Sequence, residues 1–427
     1  MTYLVLISDG GRDEKLAMRA ESHKFSANAR QITGIGSVAA FLFATAMFRS
    51  SQNAFETTFA PIGHDLLHLT PSVIGIGVTV SGVITVLGNF ILASRVQRRN
   101  LLWVLIAGLV AMSSASAVIG FSESVMAYFI SAILLGIAGG LVMPALTTFG
   151  GHIRGIQPNR SLTAFTLALT VSLALGPLLE SWVLSLGGNS LKTAILIFAP
   201  FGIIAILFAV WVVRTGLVGW EDQRTSSVKI SVLPGKLMES VPLRLAIIGQ
   251  LINQVPFVTI ISFGALIGHS LYGATPAQVQ LSFTAFFTGA LVTRTALVIR
   301  PPSRHKMFLL KLSAFLMLAG IAALGLGSGL LYFFVIMTIL GMPHGLLFPL
   351  TIGLIAKGTK ASDLPRANAV LFTSINFVSV LFPILIGFSL EGIGYRFSLL
   401  WILLVVAGLS YMLLRISRTI AREQIPV

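Results

Sequence analysis

The feature that most constrains this chain is a series of long apolar runs. A helix needs about 20 largely apolar residues to cross the hydrocarbon core of a membrane. Runs of that length recur along the whole sequence, with polar or charged connections between them. Twelve membrane-spanning helices are therefore predicted, at 34–60, 72–94, 101–121, 125–150, 161–186, 191–213, 243–268, 277–299, 307–327, 330–356, 367–390 and 396–415.

The composition excludes the classes of protein that fold or remain disordered in water. Of the 427 residues, 55% are hydrophobic and 10% are charged, and the mean hydropathy is +0.92. An ordinary soluble domain carries about 25% charged residues, and a disordered chain is far less apolar. Because there is no cysteine, disulfides, thiolate metal sites and cysteine nucleophiles are excluded as well. The sequence predicts an all-α membrane protein.

The placement of basic residues predicts the orientation of the chain. If the N-terminus is cytoplasmic, 24 of the 29 lysines and arginines fall in cytoplasmic segments, two in external loops and three inside the apolar runs. Such an excess is typical of the cytoplasmic side. We expect a multi-pass protein of the cell membrane, in contact with the lipid bilayer, with both termini in the cytoplasm. The net charge of +15 then reflects topology, and no nucleic-acid partner is expected.

The chain also repeats itself at an offset of about 205 residues. Five positions of segment 63–71 match segment 268–276, and a basic connector follows the second run of each half. Two parallel halves of six spans each are therefore predicted. In chain order the predicted parts are a cytoplasmic N-terminal tail (1–33), a first six-helix bundle (34–213), a cytoplasmic linker (214–242), a second six-helix bundle (243–416) and a cytoplasmic C-terminal tail (417–427).

A family pattern emerges from this duplication. Phe59-Ala60-Pro61-Ile62, followed by Asp65-Leu66, closes the first run. Together with the two basic connectors, these residues make the sequence similar to the major facilitator superfamily of secondary transporters over all twelve runs. The resemblance implies two pseudo-symmetric six-helix bundles around a midplane cavity, and transport by rocking one bundle against the other.

Finer motifs of the family's proton antiporters are present only in part. Gly176-Pro177 stands in the fifth run, where that subgroup carries the same pair. In the fourth run, Ala132 and Leu135 occupy the positions at which that subgroup carries Arg and Gln. The first feature favours export of a solute, and the second favours uptake or exchange.

The first run carries the most informative polar cluster, because an ionisable group in hydrocarbon costs about 2.5–3.5 kcal/mol. Arg49, Asn53 and Glu56 share one helix face, and Gln52 lies beside them. Arg49 and Glu56 are about 10 Å apart along the helix axis, so a tight pair needs both side chains to bend, and water or Asn53 could bridge them. We expect a solute-binding face with Arg49 as anion anchor and Glu56 as the proton-titrating group. A structural polar contact between helices is the alternative.

The seventh run repeats this pattern. The offset maps Arg49 onto Gln254, and Gln250, Asn253 and Gln254 share one face. Pro256 is expected to kink this helix because it cannot donate to the helical hydrogen-bond ladder. Two polar faces at equivalent depths suit a solute site between the halves, and hydrogen bonding between helices is the alternative.

Other polar residues are further candidates. Glu180 is a second candidate for proton coupling, and His344 and Asn376 are candidates for solute binding. Arg294 lies near the cytoplasmic end of its run, so its guanidinium can reach the interface. The connectors supply candidate gate residues, which are Arg95, Arg99, Arg300 and Arg304.

No motif for an enzyme or a bound cofactor is found in the sequence. It lacks the phosphate-binding Gly-x-x-x-x-Gly-Lys-Ser/Thr, the metal-binding His-Glu-x-x-His and the nucleophile elbow Gly-x-Ser-x-Gly. We therefore expect no cofactor, no metal site and no enzymatic activity.

The expected function is secondary active transport of a small organic solute by alternating access, with protons as the coupling ion and the chain acting as a monomer. Proton-coupled export of a drug or metabolite is slightly favoured. Uptake or exchange of an organic anion, with Arg49 as its anchor, is the alternative. A polytopic membrane enzyme and a non-transporting sensor rank lower.

Overall fold

The structure, a computed structural model, describes residue 36 and the stretches 38–95, 100–150, 158–214, 240–300, 305–359 and 363–423. Within these residues the chain is helical and contains no strand. The predicted tail 1–33 and most of the predicted linker 214–242 lie outside them.

The helices follow the apolar runs closely. The first, α1, covers residues 38–61 and ends in a π-helical turn, Ile62–Leu66. The last helical stretch, Leu364–Glu423, breaks at Gly394, whose φ of 77° is left-handed, into α11 (364–393) and α12 (395–423). The helices between them are α2 (Pro71–Arg95), α3 (Leu101–Phe121), α4 (Val125–Gly150), α5 (Pro158–Leu186), α6 (Leu191–Arg214), α7 (Val241–Tyr272), α8 (Pro276–Ile299), α9 (Lys306–Leu326) and α10 (Leu330–Gly358).

These helices are built to cross a membrane. Ten helical stretches of the described residues are long and apolar enough to do so. One of them, Arg366–Arg418, has 53 residues, and at 1.5 Å per residue this is about 80 Å, more than twice the hydrocarbon thickness. This stretch is therefore long enough to cross twice, once as α11 and once as α12. The predicted fold class is confirmed, and α3 and α4 have the predicted bounds.

One sequence expectation about helix geometry is modified. The helix α7 runs as one element, Val241–Tyr272, through Pro256. Membrane helices tolerate an internal proline because neighbouring groups satisfy the backbone carbonyl that the proline leaves free. Pro256 therefore does not end or divide the helix.

The internal repeat is visible in the packing. Within the first half, α2 and α3 both pack against α4, and within the second half α8 and α9 both pack against α10. A methyl group added at Gly136 would lie 2.6 Å from the carbonyl oxygen of Ser81, and one added at Gly341 would lie 1.8 Å from that of Phe286. Gly341 lies 205 positions after Gly136, and Phe286 lies 205 positions after Ser81. The same close helix contact therefore occurs at equivalent positions in each half.

Two seams join the halves, α2 against α11 and α5 against α8. The first is closed by direct backbone contact. A methyl group at Gly75 would lie 2.5 Å from the carbonyl oxygen of Pro383, and one at Gly387 would lie 2.4 Å from that of Pro71. Small residues at these positions let the two helices approach to a distance that any side chain would prevent.

The closed part of this seam lies at one end of the bundle. We call the end of the bundle at which α2 and α8 terminate the basic end, and the π-helical turn Ile62–Leu66 lies at the opposite, far end. The α2–α11 contacts use the beginning of α2 and the end of α11, where Thr79 Oγ1 also donates to the carbonyl oxygen of Val380 at 2.9 Å. The structure is therefore closed between the halves at the far end.

This closure can be tested by crosslinking, because the chain has no cysteine of its own. Cysteines introduced at Ser72 and Glu391 should crosslink readily, since the backbone nitrogen of Ser72 lies 3.2 Å from Glu391 Oε2. Gly75→Ala or Gly387→Ala should lower the crosslinking yield severalfold, because the added methyl group meets backbone. Gly353→Ala is the matched control, since nothing lies within 4 Å of a methyl group there. Equal yields in the Gly75 and Gly353 variants would contradict the tight far-end seam.

Candidate solute and proton site

The polar face of α1 is held in place by the first half of the protein. Ser51 Oγ donates to the carbonyl oxygen of Phe198 on α6 at 3.3 Å, and Asn53 Nδ2 donates to that of Leu173 on α5 at 3.1 Å. Both polar side chains are fully buried. Asn53, predicted as a solute-binding residue, is thus engaged in fixing α1 against α5, and this contact sets the rotation of the whole helix.

That rotation places a charged pair at mid-depth. Arg49 Nη1 lies 3.8 Å from Glu56 Oε2, and the two side chains keep 17% and 25% of their surface exposed. Gln52 Nε2 donates to Glu56 Oε1 at 2.8 Å. The two charged side chains therefore lean together across two turns of helix, and the residue that braces the carboxylate is Gln52 rather than Asn53.

The polar side chains of α7 make hydrogen bonds to other helices of the second half. Gln250 Oε1 accepts from Thr351 Oγ1 on α10 at 3.3 Å, and Gln254 Nε2 donates to Ser379 Oγ on α11 at 2.8 Å. Both glutamines are buried, so they act as ties between helices of the second half, which is the alternative that the sequence left open. Asn376 lies one turn before Ser379 on α11 and is partly exposed.

His344 lies on α10 and is held by contacts with α7 and α8. Its Nδ1 lies within hydrogen-bonding distance, 3.0 Å, of Asn253 Oδ1 on α7. Its ring stacks on Phe257, with centroids 4.3 Å apart and an interplanar angle of 18°, and lies 5.3 Å from the ring of Phe286. The imidazole is therefore fixed in orientation by an amide and two aromatic rings.

Two arginines lie beside the same stretch of α5. Ser50, the neighbour of Arg49, donates to the carbonyl oxygen of Ser172 on α5 at 3.4 Å. Arg294 Nη1 donates to Thr170 Oγ1 on α5 at 2.8 Å, across the seam between the halves. Arg49 of the first half and Arg294 of the second thus approach residues 170–172 of α5. The sequence placed Arg294 in an apolar run but gave it only an interfacial role.

A second carboxyl group lies nearer the far end. Glu180 is fully buried, and its Oε1 accepts a hydrogen bond from Thr58 Oγ1. Gln280 of α8 accepts from Thr57 Oγ1 at 3.1 Å and donates to Thr58 Oγ1 at 3.3 Å. This cluster, composed of Thr57, Thr58, Glu180 and Gln280, joins α1 and α5 of the first half to α8 of the second. Sequence reasoning found Glu180 but not Gln280.

The far-end cluster adjoins a narrow cleft. The cleft is lined in part by Pro61, Asp65, His269 and Pro276, and it reaches Gln280. Within the described residues, Glu180 Oε2 is buried without a hydrogen-bond partner. A buried carboxyl group with no cation beside it is stable only if it is neutral or if water reaches it, and the cleft lies on the side from which water would come.

Comparison with known proteins places this arrangement in a family. The sequence profile of the Major Facilitator Superfamily matches residues 38–342, which is more than half of the chain. The chain belongs to the major facilitator superfamily. This superfamily member is a multi-pass membrane transporter and not an enzyme. A comparison with curated protein sequences finds no match.

Solved structures share the superfamily fold. The nucleoside transporter NupG is 14% identical with a TM-score of 0.71, and the match covers 89% of this chain and 98% of that one. A bacterial homolog of the human lysosomal transporter Spinster, inward-facing and occupied, is 12% identical with a TM-score of 0.68 over 90% and 97%. A POT family transporter in complex with 5-aminolevulinic acid is 12% identical with a TM-score of 0.68 over 91% and 96%. At these identities the likeness shows the fold alone.

The predicted gate residues of this superfamily member are described only in part. Arg300 is exposed at the end of α8. Arg95 ends α2, but its side chain lies outside the described residues, as do Arg99 and Arg304 altogether. The gate therefore stays a prediction. In the described part of the chain, no three His, Asp or Glu side chains come together as a metal site.

The charge state of the far-end cluster can be tested through stability. Glu180→Gln should unfold within about 1 kcal/mol of the wild type, because a carboxamide also accepts from Thr58 and brings no charge into the interior. Glu180→Ala should lose about 1–3 kcal/mol, since the buried hydroxyl of Thr58 loses its acceptor. Unfolding of the purified protein in detergent measures both changes. Equal destabilisation by the two substitutions would show instead that the site requires a negative charge.

Proposed function

We propose that this protein is a proton-coupled transporter of small organic anions, with Arg49 as the anion anchor and Glu56 as the group that takes up the coupling proton. The observation that carries the proposal is the partly exposed Arg49–Glu56 pair at mid-depth, 3.8 Å apart and braced by Gln52. At this distance the ion pair is loose enough for either side chain to exchange its partner. An anionic solute can replace the Glu56 carboxylate at Arg49 once that carboxylate is protonated.

Coupling follows from the balance of charge in this pair. Without solute, Arg49 and the Glu56 carboxylate neutralise each other. With solute, the proton on Glu56 and the solute anion on Arg49 give the same net charge. An intermediate in which Arg49 is unpaired is disfavoured, because an isolated buried ion costs several kcal/mol. The halves can therefore exchange positions when the site holds both proton and anion, or neither.

This scheme bears on the direction of transport. Proton and anion move together, so a proton gradient directed into the cell drives uptake. The sequence favoured export partly through Gly176-Pro177, but in the structure Gly176 allows α5 to approach α1, since a methyl group there would lie 3.1 Å from Ser50 Cα. Packing accounts for that motif. Uptake or exchange of an organic anion is thus better supported, and proton-coupled export of a drug or metabolite is the alternative.

Glu180 is proposed as a second titrating group that serves the far side. When the far end opens, α8 must carry Gln280 away from Thr57 and Thr58, which exposes the carboxyl group of Glu180 to water. Proton binding there would accompany closure and proton release would accompany opening. The basic residues assign the basic end to the cytoplasm of a cell membrane, so this second site would face the exterior, and the chain is proposed to act as a monomer.

The solute site is proposed to include further polar groups. His344, held by Asn253 and two aromatic rings, presents its imidazole to the region between the halves. The fold also accommodates small acids in a relative, since the POT family transporter mentioned above is in complex with 5-aminolevulinic acid. That ligand belongs to that protein, and it supports only the choice of probe molecules.

The coupling role of Glu56 predicts a specific defect. In proteoliposomes supplied with labelled small carboxylic acids, the wild type should accumulate its solute when a pH gradient is imposed. Glu56→Gln should retain exchange of solute across the membrane but lose at least about 90% of gradient-driven accumulation, because the amide cannot take up a proton. Glu123→Gln, which removes an exposed acid paired with Lys192, is the control and should accumulate normally. Full accumulation by the Glu56 variant would refute the role of this residue.

The anchor role of Arg49 predicts a loss of binding. Arg49→Gln should weaken binding of a carboxylate solute by about tenfold to a hundredfold, since a charge-assisted bidentate contact is lost. Arg49→Lys should retain part of the affinity. Direct binding to the purified protein measures both variants. Preferential transport of organic cations by the wild type, unaffected by Arg49→Gln, would reject the anion proposal and favour drug export.

A further inference from the structure

If the solute has a single anionic group, Arg49 alone can bind it, and the positive charge of Arg294 takes no part in binding. Arg294 lies inside α8, and its guanidinium donates to the neutral hydroxyl of Thr170. Among the described residues, none of the salt bridges includes Arg294. A guanidinium has five N–H donors, and one hydroxyl satisfies few of them and balances no charge. Arg294 is therefore a cation within the membrane span that still lacks an anionic partner.

The position of Arg294 relates it to Arg49. Residue counts at 1.5 Å per residue place Arg49 about 18 Å, His344 about 21 Å and Arg294 about 27 Å from the far-end terminus of their own helices. Arg294 donates to Thr170 on α5, and Ser50, the neighbour of Arg49, donates to the carbonyl oxygen of Ser172, two residues further along the same helix. The two arginines thus approach from opposite halves, with a difference in depth of about 9 Å that their long side chains can shorten.

We propose that Arg294 is a second solute anchor and that the solute is a small organic dianion, with one acidic group held by Arg49 of the first half and the other by Arg294 of the second. This inference rests on the proposed transport of an organic anion and specifies the chemical class. Each guanidinium can hold a carboxylate through two parallel N–H···O hydrogen bonds. Thr170 is then the partner that holds Arg294 in position while the site is empty.

The balance of charges supports a dianion over a monoanion. With Glu56 protonated, the two arginines present two positive charges to the solute. A dianion neutralises both, whereas a monoanion leaves Arg294 as it is in the empty site, without an anionic partner. A dianion also contacts both halves at once, so its binding draws them together around the site.

The spacing of the anchors sets the shape of the solute. Two acidic groups joined by a carbon chain can each bind one guanidinium group. A compact dianion such as inorganic phosphate carries both of its charges on one centre and is not expected to bridge anchors that belong to different halves. The dependence of binding on the chain length of the ligand therefore tests whether two anchors hold the solute.

Binding to the purified full-length protein tests this inference, with its five tryptophans reporting the unfolding temperature. The ligands are unbranched dicarboxylates from malonate to adipate, monocarboxylates of equal chain length, and inorganic phosphate. In the wild type, dicarboxylates should stabilise more than monocarboxylates and phosphate, with an optimum chain length. Arg294→Gln should raise the dissociation constant of the best dicarboxylate about tenfold or more and abolish its preference over the monocarboxylate. Arg294→Lys should restore part of that preference.

The control and the opposing outcomes separate this inference from the proposed function. Arg366→Gln removes an exposed cation beside Asp363 and should bind as the wild type does. An unchanged dicarboxylate preference in Arg294→Gln, equal binding of both acid classes by the wild type, strongest binding by phosphate, or no stabilisation by any ligand would each overturn the inference. If monocarboxylates still bind and Arg49→Gln abolishes that binding, the anion transporter stands without the second anchor. If Arg49→Gln binds both acid classes as tightly as the wild type does, the proposed function itself fails.

Discussion

The free-energy penalty for placing charge in hydrocarbon governs where every functional group of this protein lies. Arg49, Glu56, Glu180 and Arg294 all occur within apolar runs, and each has a polar or charged side chain as partner. The penalty amounts to about 2.5–3.5 kcal/mol per group on insertion scales, so such groups persist only where other polar groups receive them. Those places are the surfaces along which the two halves meet.

The two seams between the halves are related by the internal repeat, yet their chemistry has diverged. The α2–α11 seam closes by direct approach of backbones, with Gly387 against Pro71 and Gly75 against Pro383 as close contacts. The α5–α8 seam instead carries polar contacts, including Ser181 Oγ with the carbonyl oxygen of Ala277 and the guanidinium of Arg294 with Thr170. One seam is therefore closed mainly by backbone packing, whereas the other is joined by polar side chains.

The polar side chains within the bundle also differ in how tightly their neighbours hold them. Gln250 and Gln254 are buried and tied to neighbouring helices, so they fix the second half internally. Arg49 and Glu56 are held less tightly, at 3.8 Å and with part of each side chain exposed. A group that must exchange partners needs such freedom, and a group that positions a helix does not. The proposed solute chemistry is therefore assigned to the exposed pair.

The sequence by itself determined the membrane class, the helix bounds, the duplication and the polar face of α1, because apolar length, repeat offset and helical spacing are local properties of the chain. It could not determine which polar groups meet. The contact of Thr58 with Glu180 joins residues 122 positions apart, and that of Arg294 with Thr170 joins residues 124 apart. Only the tertiary structure decided these contacts, since they depend on how each helix is rotated about its axis when neighbouring helices pack against it. The same physical reason explains why the contacts of Asn53 and of the glutamines of α7 with neighbouring helices are found only in the tertiary structure.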